Sequence, residues 1–167
     1  MQKRHDDVLW LEQAISNHEQ SLLRLCFLIL NDAMLAEDAV QETFIKAYKA
    51  HSRFRGECSE KTWLSRIAVN TCRTLRRTAW FRHKERGVPL DSLPEPSAPF
   101  EERDDSLLSA VIRLPQKYRE VILLHYYRDL SMQEVALALG IARQTAYRRL
   151  KDATALLRDE LKEWYYE

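Results

Sequence analysis

Glycine, proline, cysteine and long apolar runs are all scarce in this sequence, and the two signs of charge nearly cancel. Among 167 residues there are three Gly, five Pro and three Cys, and 26 Lys+Arg stand against 25 Asp+Glu. The longest apolar run, Leu25–Leu30, is far shorter than the roughly 18 residues that a membrane-spanning helix needs. The N-terminal sequence MQKRHDDVLW contains no apolar signal core, so we expect a cytoplasmic protein that does not insert into a membrane.

The cysteines and histidines show no pattern that indicates a metal site or an active site. Cys26, Cys58 and Cys72 are odd in number and include no CxxC pair. We interpret them as small apolar residues in a reducing compartment, with redox sensing as the alternative. The sequence contains no glycine-rich phosphate loop, paired metal motif or nucleophile elbow. We therefore predict that the protein is not an enzyme and needs no metal, cofactor or small-molecule substrate.

Proline is concentrated in one acidic stretch between two mildly basic regions. Four of the five prolines lie within residues 87–106, which also hold six Asp and Glu residues. Because proline lacks a backbone donor and restricts its neighbours, we predict an extended, helix-free linker there. The linker separates residues 1–86 from residues 107–167, and each flanking region has only a small excess of Lys and Arg. A protein that binds nucleic acid tightly by itself usually shows a larger excess.

Apolar residues in the first region recur at steps of three and four, the spacing of amphipathic helices, and no strand alternation is visible. The spacing predicts one helix over about 8–29, with a break near 16–17 as an alternative. It predicts a second helix over 33–50 and a third over 60–78, in which Trp63 points inward. The fold class is therefore predicted to be all-α, with two small helical domains joined by the linker.

The second region contains the pattern of a helix-turn-helix. A first helix begins at Leu114-Pro115, and a capping box over 131–134 begins another, which ends at Gly140. A long helix then runs from about Ala142 to Trp164. Its start carries an exposed polar set: Arg143, Gln144, Thr145, Tyr147, Arg148, Arg149 and Lys151. Arg and Gln can bond base edges in a major groove while flanking cations reach phosphates; a helical hairpin with a solvated basic face is the alternative.

The third helix and the loop before it offer a second candidate for DNA contact. Four polar residues, spaced four, three and four apart, share a face opposite the predicted core: Arg66, Asn70, Arg73 and Arg77. Taken alone, such a face is more often simply solvated. In the preceding loop, residues 51–59, Phe54 and Arg55 stand beside Gly56. An aromatic ring and a guanidinium next to a basic helix can hold an unstacked base.

Two stretches of the sequence together resemble the extracytoplasmic-function class of bacterial sigma factors. The family's promoter-melting domain is similar to residues 36–77, AEDAVQETFIKAYKAHSRFRGECSEKTWLSRIAVNTCRTLRR, and its helix-turn-helix domain to residues 114–153, LPQKYREVILLHYYRDLSMQEVALALGIARQTAYRRLKDA. The resemblance implies a transcription initiation factor that binds core RNA polymerase and promoter DNA. Many members are also held by an anti-sigma factor, for which the sequence shows no motif.

The resemblance also implies a role for each surface. The helix matching 36–48 would dock on the clamp helices of the polymerase's largest subunit through one face: Asp38, Gln41, Glu42 and Ile45. The loop around 54–59, with Phe54 and Arg55, would hold a flipped base of the −10 element. The helix with Arg66, Asn70, Arg73 and Arg77 would grip the separating strands, and the helix over 143–151 would read the −35 element. Trp63 is expected in the core.

One departure and one alternative remain at this stage. Ala142 stands where the family usually has a Ser or Thr N-cap, so this helix start lacks a side-chain cap. The alternative is a conventional repressor or activator, with a helix-turn-helix and an effector or dimerisation domain. Such a protein would bind duplex DNA tightly without polymerase.

Overall fold

A computed structural model describes the backbone of residues 1–85 and 105–166, and the side chains of all of these except 83–85, 105 and 163–166. All regular secondary structure in these ranges is helical, which confirms the all-α prediction. The chain divides into two units between residues 97 and 98. Most of the predicted linker, residues 87–104, lies outside the described residues. None of the described helices is both long and apolar enough to cross a membrane.

The first unit consists of three long helices that pack against one another. They are α1 (Gln2–Leu30), α2 (Ala33–Ala50) and α3 (Glu60–Glu85), with a 3-10 turn over His51–Arg53 after α2. Helix α1 is continuous through residues 16–17, so the interrupted alternative is wrong. Helix α2 has the predicted bounds, whereas α3 continues seven residues beyond the predicted end at Thr78.

The break between α1 and α2 results from two residues with local capping roles. Asn31 ends α1 in the left-handed conformation, with φ of 51°, which Asn tolerates better than most residues. Asp32 then begins α2, because its Oδ1 accepts a hydrogen bond of 3.0 Å from the backbone N–H of Leu35. Two residues adjacent in sequence, Asn31 and Asp32, thus end α1 and begin α2.

The core of the first unit joins the second half of α1 to the middle of α2 and α3. Its largest fully buried apolar side chains include Leu22, Leu25 and Ile29 of α1 with Leu64 and Val69 of α3. The first turns of α1 contribute fewer buried side chains to this core than the apolar spacing predicts.

The apolar spacing of α1 predicts that Val8 lies on the buried side of the helix, but Val8 is 41% exposed. The beginning of α1 instead contacts the rest of the unit through Trp10, whose ring packs on His51 and Trp63. Two residues along a helix turn the side chain by about 200°, so Val8 lies on the opposite face. The side of α1 that packs on the unit at Trp10 therefore excludes Val8, which a single periodic stripe does not predict.

Over its described residues, 105–166, the second unit contains five helical segments. They are α4 (Asp105–Arg113), α5 (Gln116–Ile122) with a π-helical continuation over Leu123–Tyr127, α6 (Met132–Leu139) and α7 (Arg143–Tyr166). Helix α4 includes Asp105 and Ser106, which the sequence assigned to the helix-free linker. Pro115 is the N-cap of α5, one residue ahead of the helix, where its missing N–H has no helical acceptor to lose.

The helix-turn-helix has the capping pattern that the sequence predicts. Ser131 Oγ accepts from the N–H of Glu134 at 3.2 Å, and Glu134 Oε2 accepts from the N–H of Ser131 at 2.9 Å. At the other end of α6, Gly140 has φ of 65°, and the N–H of Ile141 donates to the carbonyl of Ala136 at 3.0 Å. These bonds set the sharp turn that leads into α7.

We predict that Gly140→Ala destabilises the turn by about 1 kcal/mol, because an L side chain is strained at this φ. The Cβ itself would meet no atom within 4 Å, so the cost is one of backbone conformation only. Gly140→Asn should cost less, since Asn tolerates the left-handed region. Hydrogen exchange of the α6 and α7 amides measures the effect, with the α1–α3 amides as an internal control. Equal protection in the Ala and Gly proteins would contradict the prediction.

Candidate polymerase and nucleic-acid interfaces

The exposed face of α2 carries all four residues predicted to contact polymerase. Asp38, Gln41 and Glu42 are exposed, and Ile45 is 47% exposed. The opposite face is buried and consists mainly of small or apolar side chains: Ala36, Ala39, Val40, Thr43, Phe44 and Ala47. The result is a mixed face in which an apolar side chain adjoins two carboxylates.

Sequence analysis missed one member of this face. Met34 is 78% exposed and lies one turn before Asp38. The spacing 34, 38, 41, 45 repeats the four-three-four pattern of a single helix face and was available from the sequence. We call the five residues Met34, Asp38, Gln41, Glu42 and Ile45 the α2 face.

The predicted polar stripe lies on the outer side of α3. Arg66, Asn70 and Arg77 are exposed and Arg73 is half-buried. On the inner side Leu64, Ala68, Val69 and Cys72 are fully buried. With a rise of 1.5 Å per residue, the stripe from Arg66 to Arg77 is about 16 Å long, which is about five base steps of B-form DNA.

Two aromatic residues that sequence analysis did not single out continue the stripe. Trp80 and Phe81 are 47% and 52% exposed, and their ring centroids are 5.1 Å apart in an edge-to-face arrangement. They follow Arg77 by three and four residues, which places both near the same face. Arg76 and Arg82 are exposed beside them, while the Lys84 side chain lies outside the described part.

In the loop over 51–59, the structure places the predicted base-binding residues beside Trp63. Phe54 stacks on Trp63 with ring centroids 4.5 Å apart and an interplanar angle of 19°. Arg55 is exposed and Gly56 has φ of 73°. The expectation that Trp63 belongs to the core is wrong, because its ring is only half-buried and supports the loop from the side.

Two side chains of the helix start hold the junction between this loop and α3. The Ser59 Oγ accepts a hydrogen bond of 3.1 Å from the N–H of Thr62 and lies 2.9 Å from its hydroxyl. Glu60 lies in the first turn, where a negative charge interacts favourably with the helix dipole, and its Oε1 is 3.7 Å from His18 Nε2 of α1. The end of the loop is therefore tied to α1 as well as to α3.

The start of α7 presents most, though not all, of the residues predicted to read DNA. One exposed face contains Arg143, Gln144, Tyr147, Arg148 and Lys151. Thr145 and Arg149 are half-buried and turn toward the side where Ala146 and Ala153 are buried. The Arg143 guanidinium lies 5.9 Å from the centroid of the Tyr147 ring, within the range of a cation–π contact.

One further aromatic residue adjoins the exposed face of α7. Tyr126, in the π-helical segment, is 61% exposed. Together with Tyr147, Lys151 and Arg158 it lines a shallow cavity of about 490 Å³. Sequence analysis did not name Tyr126 among the DNA-binding residues, because it counted Tyr126 with the apolar and aromatic residues of the helix that begins at Leu114-Pro115.

A helix-turn-helix with an exposed basic face is typical of DNA-binding transcription factors, and comparison with known proteins identifies the class. Residues 14–82 match the family model Sigma-70 region 2, and residues 104–157 match Sigma-70, region 4. The ECF RNA polymerase sigma factor SigL of Mycobacterium tuberculosis is 36% identical over 152 residues, covering 87% of this chain and 85% of SigL. The RNA polymerase sigma-E factor of Streptomyces avermitilis is 29% identical, covering 95% of this chain and 88% of that protein.

Solved structures agree with this class. The sigma factor RpoE, in complex with the anti-sigma factor NepR from Bartonella quintana, aligns with a TM-score of 0.77 at 25% identity, covering 90% of this chain and 96% of RpoE. CnrH, in complex with the cytosolic domain of CnrY, shares the fold with a TM-score of 0.67.

The chain belongs to the extracytoplasmic-function sigma factors. It is a transcription initiation factor that directs core RNA polymerase to promoter DNA, and it is not an enzyme.

We predict that Ala142→Ser stabilises the first turn of α7 by about 1 kcal/mol, because a serine oxygen at the N-cap accepts from an otherwise unbonded helix N–H. Ala142 already stands at this boundary, since its carbonyl accepts from the N–H of Ala146 at 3.0 Å. Slower hydrogen exchange of the first α7 amides would show the gain. The matched control is Ala155→Ser, an exposed position within the same helix, where serine costs a few tenths of a kcal/mol. Equal effects at both positions would contradict the capping argument.

Proposed function

We propose that the two parts of the chain divide the work of promoter recognition in the cytoplasm. Residues 1–86 dock on the polymerase clamp, recognise the −10 element and assist strand opening. Residues 107–167 read the −35 element, and residues 87–106 connect the two. The observation that supports this division most is that each exposed polar face lies opposite a buried face of the same helix.

The α2 face is the proposed polymerase contact. It combines two apolar side chains, Met34 and Ile45, with the carboxylates of Asp38 and Glu42. Apolar area contributes affinity on burial, and the carboxylates select a basic partner surface and fix its orientation. Duplex DNA is disfavoured as a partner for this face, because its phosphates repel the carboxylates.

The loop and the α3 stripe are the proposed −10 contact. Trp63 covers one side of Phe54, and an aromatic ring supported in this way loses little conformational freedom when a base stacks against it. Arg55 is exposed next to it and is available for a phosphate or a base edge. Arg66, Asn70, Arg73 and Arg77 then follow the backbone of the separating strands along α3.

The exposed start of α7 is the proposed −35 contact. Arg143 and Gln144 occupy the first turn, the part of a recognition helix that enters the major groove most deeply. Arg148 and Lys151 lie on the same face farther along and suit phosphate contacts. Tyr147 packs near Arg143 and restricts the directions that its guanidinium can take. Thr145 and Arg149 are half-buried and contribute from the edge of the face.

An anti-sigma factor is a further proposed partner. The similar sigma factor RpoE was crystallised with the anti-sigma factor NepR. The α2 face, with exposed Met34 and Ile45, offers such a protein apolar area that polymerase would otherwise bury. Binding there would make the anti-sigma factor and polymerase competitors.

The polymerase assignment predicts that purified protein forms a stoichiometric complex with bacterial core RNA polymerase, and that Asp38→Lys/Glu42→Lys abolishes it. The double variant reverses the charge at the centre of the α2 face and repels a basic partner. Gel filtration of the mixture measures complex formation.

The matched control is Glu12→Lys/Glu19→Lys on α1, which changes the total charge equally at two exposed positions away from the α2 face. This variant should retain the complex. If Asp38→Lys/Glu42→Lys retains the complex as well as the control does, the α2 face is not the polymerase contact and the proposal is wrong.

The −35 assignment predicts different defects for two residues of one face. Arg143→Ala should reduce discrimination at one −35 base pair by about 1–3 kcal/mol. Lys151→Ala should weaken binding to all sequences alike and lower the slope of log affinity against log salt by about one. Binding of the holoenzyme to duplexes with single −35 substitutions, measured over a salt series, separates the two. A uniform loss from Arg143→Ala would remove that residue from base readout.

A further inference from the structure

The first turns of α1 contact the beginning of the loop over 51–59. The Trp10 ring stacks on the His51 ring, with centroids 3.9 Å apart and an interplanar angle of 17°. In addition, His51 Nδ1 lies 3.3 Å from Asp7 Oδ1. His51 is thus held by a ring and a carboxylate that come from one turn of α1.

The same tryptophan also reaches the support of Phe54. The centroids of Trp10 and Trp63 are 6.0 Å apart in a tilted arrangement, and Trp63 stacks on Phe54. Edge-to-face and offset stacked aromatic pairs at these distances are favourable. Trp10 therefore contacts His51, the first residue of the loop, directly. Through Trp63 it also supports Phe54, the residue proposed to receive the flipped base.

Asp7 and Trp10 lie outside the segment that defines the family. The region 2 family model matches from residue 14 onward. Within the loop, the N–H of Phe54 donates a hydrogen bond of 3.1 Å to the carbonyl of His51. Contacts from outside the loop, above all the stack of Phe54 on Trp63, also set the position of Phe54.

We propose that Asp7 and Trp10, here called the α1 brace, are positioning residues for −10 recognition. Trp10 and Asp7 fix the ring of His51, and Trp10 and Trp63 together fix the ring of Phe54, so that the loop is preorganised for the flipped base. Preorganisation lowers the conformational cost of capturing that base. This inference rests on the proposed −10 role of the loop, and the brace itself touches no DNA.

The test compares base discrimination in four variants of the full chain assembled with core polymerase. Wild-type holoenzyme first selects promoters from a random duplex pool by transcription. One selected promoter is then prepared as two templates: the first keeps the −10 base with the strongest preference, and the second has that base replaced. Open-complex formation on both templates gives a discrimination factor. Trp10→Ala should lower this factor by about two- to tenfold, the range of one aromatic stacking interaction. Trp10→Phe should retain it, because the stack on His51 persists.

Leu9→Ala is the matched control, since Leu9 precedes Trp10 in the same helix and is 44% exposed. It should leave the factor unchanged. Asp7→Ala provides a variant that removes no ring from the fold; it should lower the factor in the same direction and speed hydrogen exchange of the 52–58 amides.

Equal losses on both templates for Trp10→Ala and Asp7→Ala would overturn the inference, because Trp10 would then serve packing alone. Unchanged factors in these variants would overturn it as well, while leaving the −10 role of the loop intact. A wild-type enzyme that makes no distinction between the two templates would instead overturn the −10 role, and the inference with it.

Discussion

The rotation of α3 about its own axis determines whether the first unit exposes the polar stripe that is its proposed DNA contact. Leu64, Ala68, Val69 and Cys72 are fully buried, and burying this side leaves the polar stripe facing outward. Two of these four side chains are small, which allows neighbouring helices to approach closely. Lys46 Nζ donates to Thr71 Oγ1 at 3.2 Å and adds a polar link from α2. A rotation of α3 would bury guanidinium groups without partners, at a cost of several kcal/mol.

The same packing relates the two surfaces of the first unit to each other. Ala36, Ala39 and Ala47 of α2 are fully buried, so α2 has as little freedom to rotate as α3. The α2 face and the α3 stripe consequently have a set mutual orientation, because both belong to one close-packed core. A partner that binds the α2 face therefore also orients the stripe and the loop beside it, with no need for a conformational change.

Local sequence patterns predicted the parts of this structure that local interactions determine. The bounds of α2, the capping box at Ser131 and the turn at Gly140 depend on residues within a few positions of each other, and each prediction was correct. The additional length of α3 was missed, since Trp80 and Phe81 in its added residues lie on the exposed side and do not continue the buried apolar stripe. The π-helical segment was missed because a single widened turn leaves the apolar pattern almost unchanged.

The candidate site shows the same limit. Helix periodicity placed the α2 face and the α3 stripe on exposed surfaces, because periodicity reports which side of a helix is buried. It did not predict the stack of Trp10 on His51, whose members are 41 positions apart, and it assigned Trp63 to the core. Contacts across such separations depend on how the helices meet, and a single sequence carries no signal for them.

The small net charge of +1 is the sum of basic and acidic surfaces that lie in different places, and this distribution has a consequence for promoter recognition. Among the described residues, exposed Lys and Arg side chains include clusters on the outer side of α3 and at the start of α7, while carboxylates occupy the α2 face. Non-specific DNA affinity depends on the number of phosphates that a protein neutralises. Each cationic surface alone neutralises few phosphates, and the carboxylates of the α2 face, the proposed polymerase contact, repel DNA. Selective binding therefore requires that both cationic surfaces engage one DNA molecule together, a condition that polymerase meets when it holds the chain and the promoter in one complex.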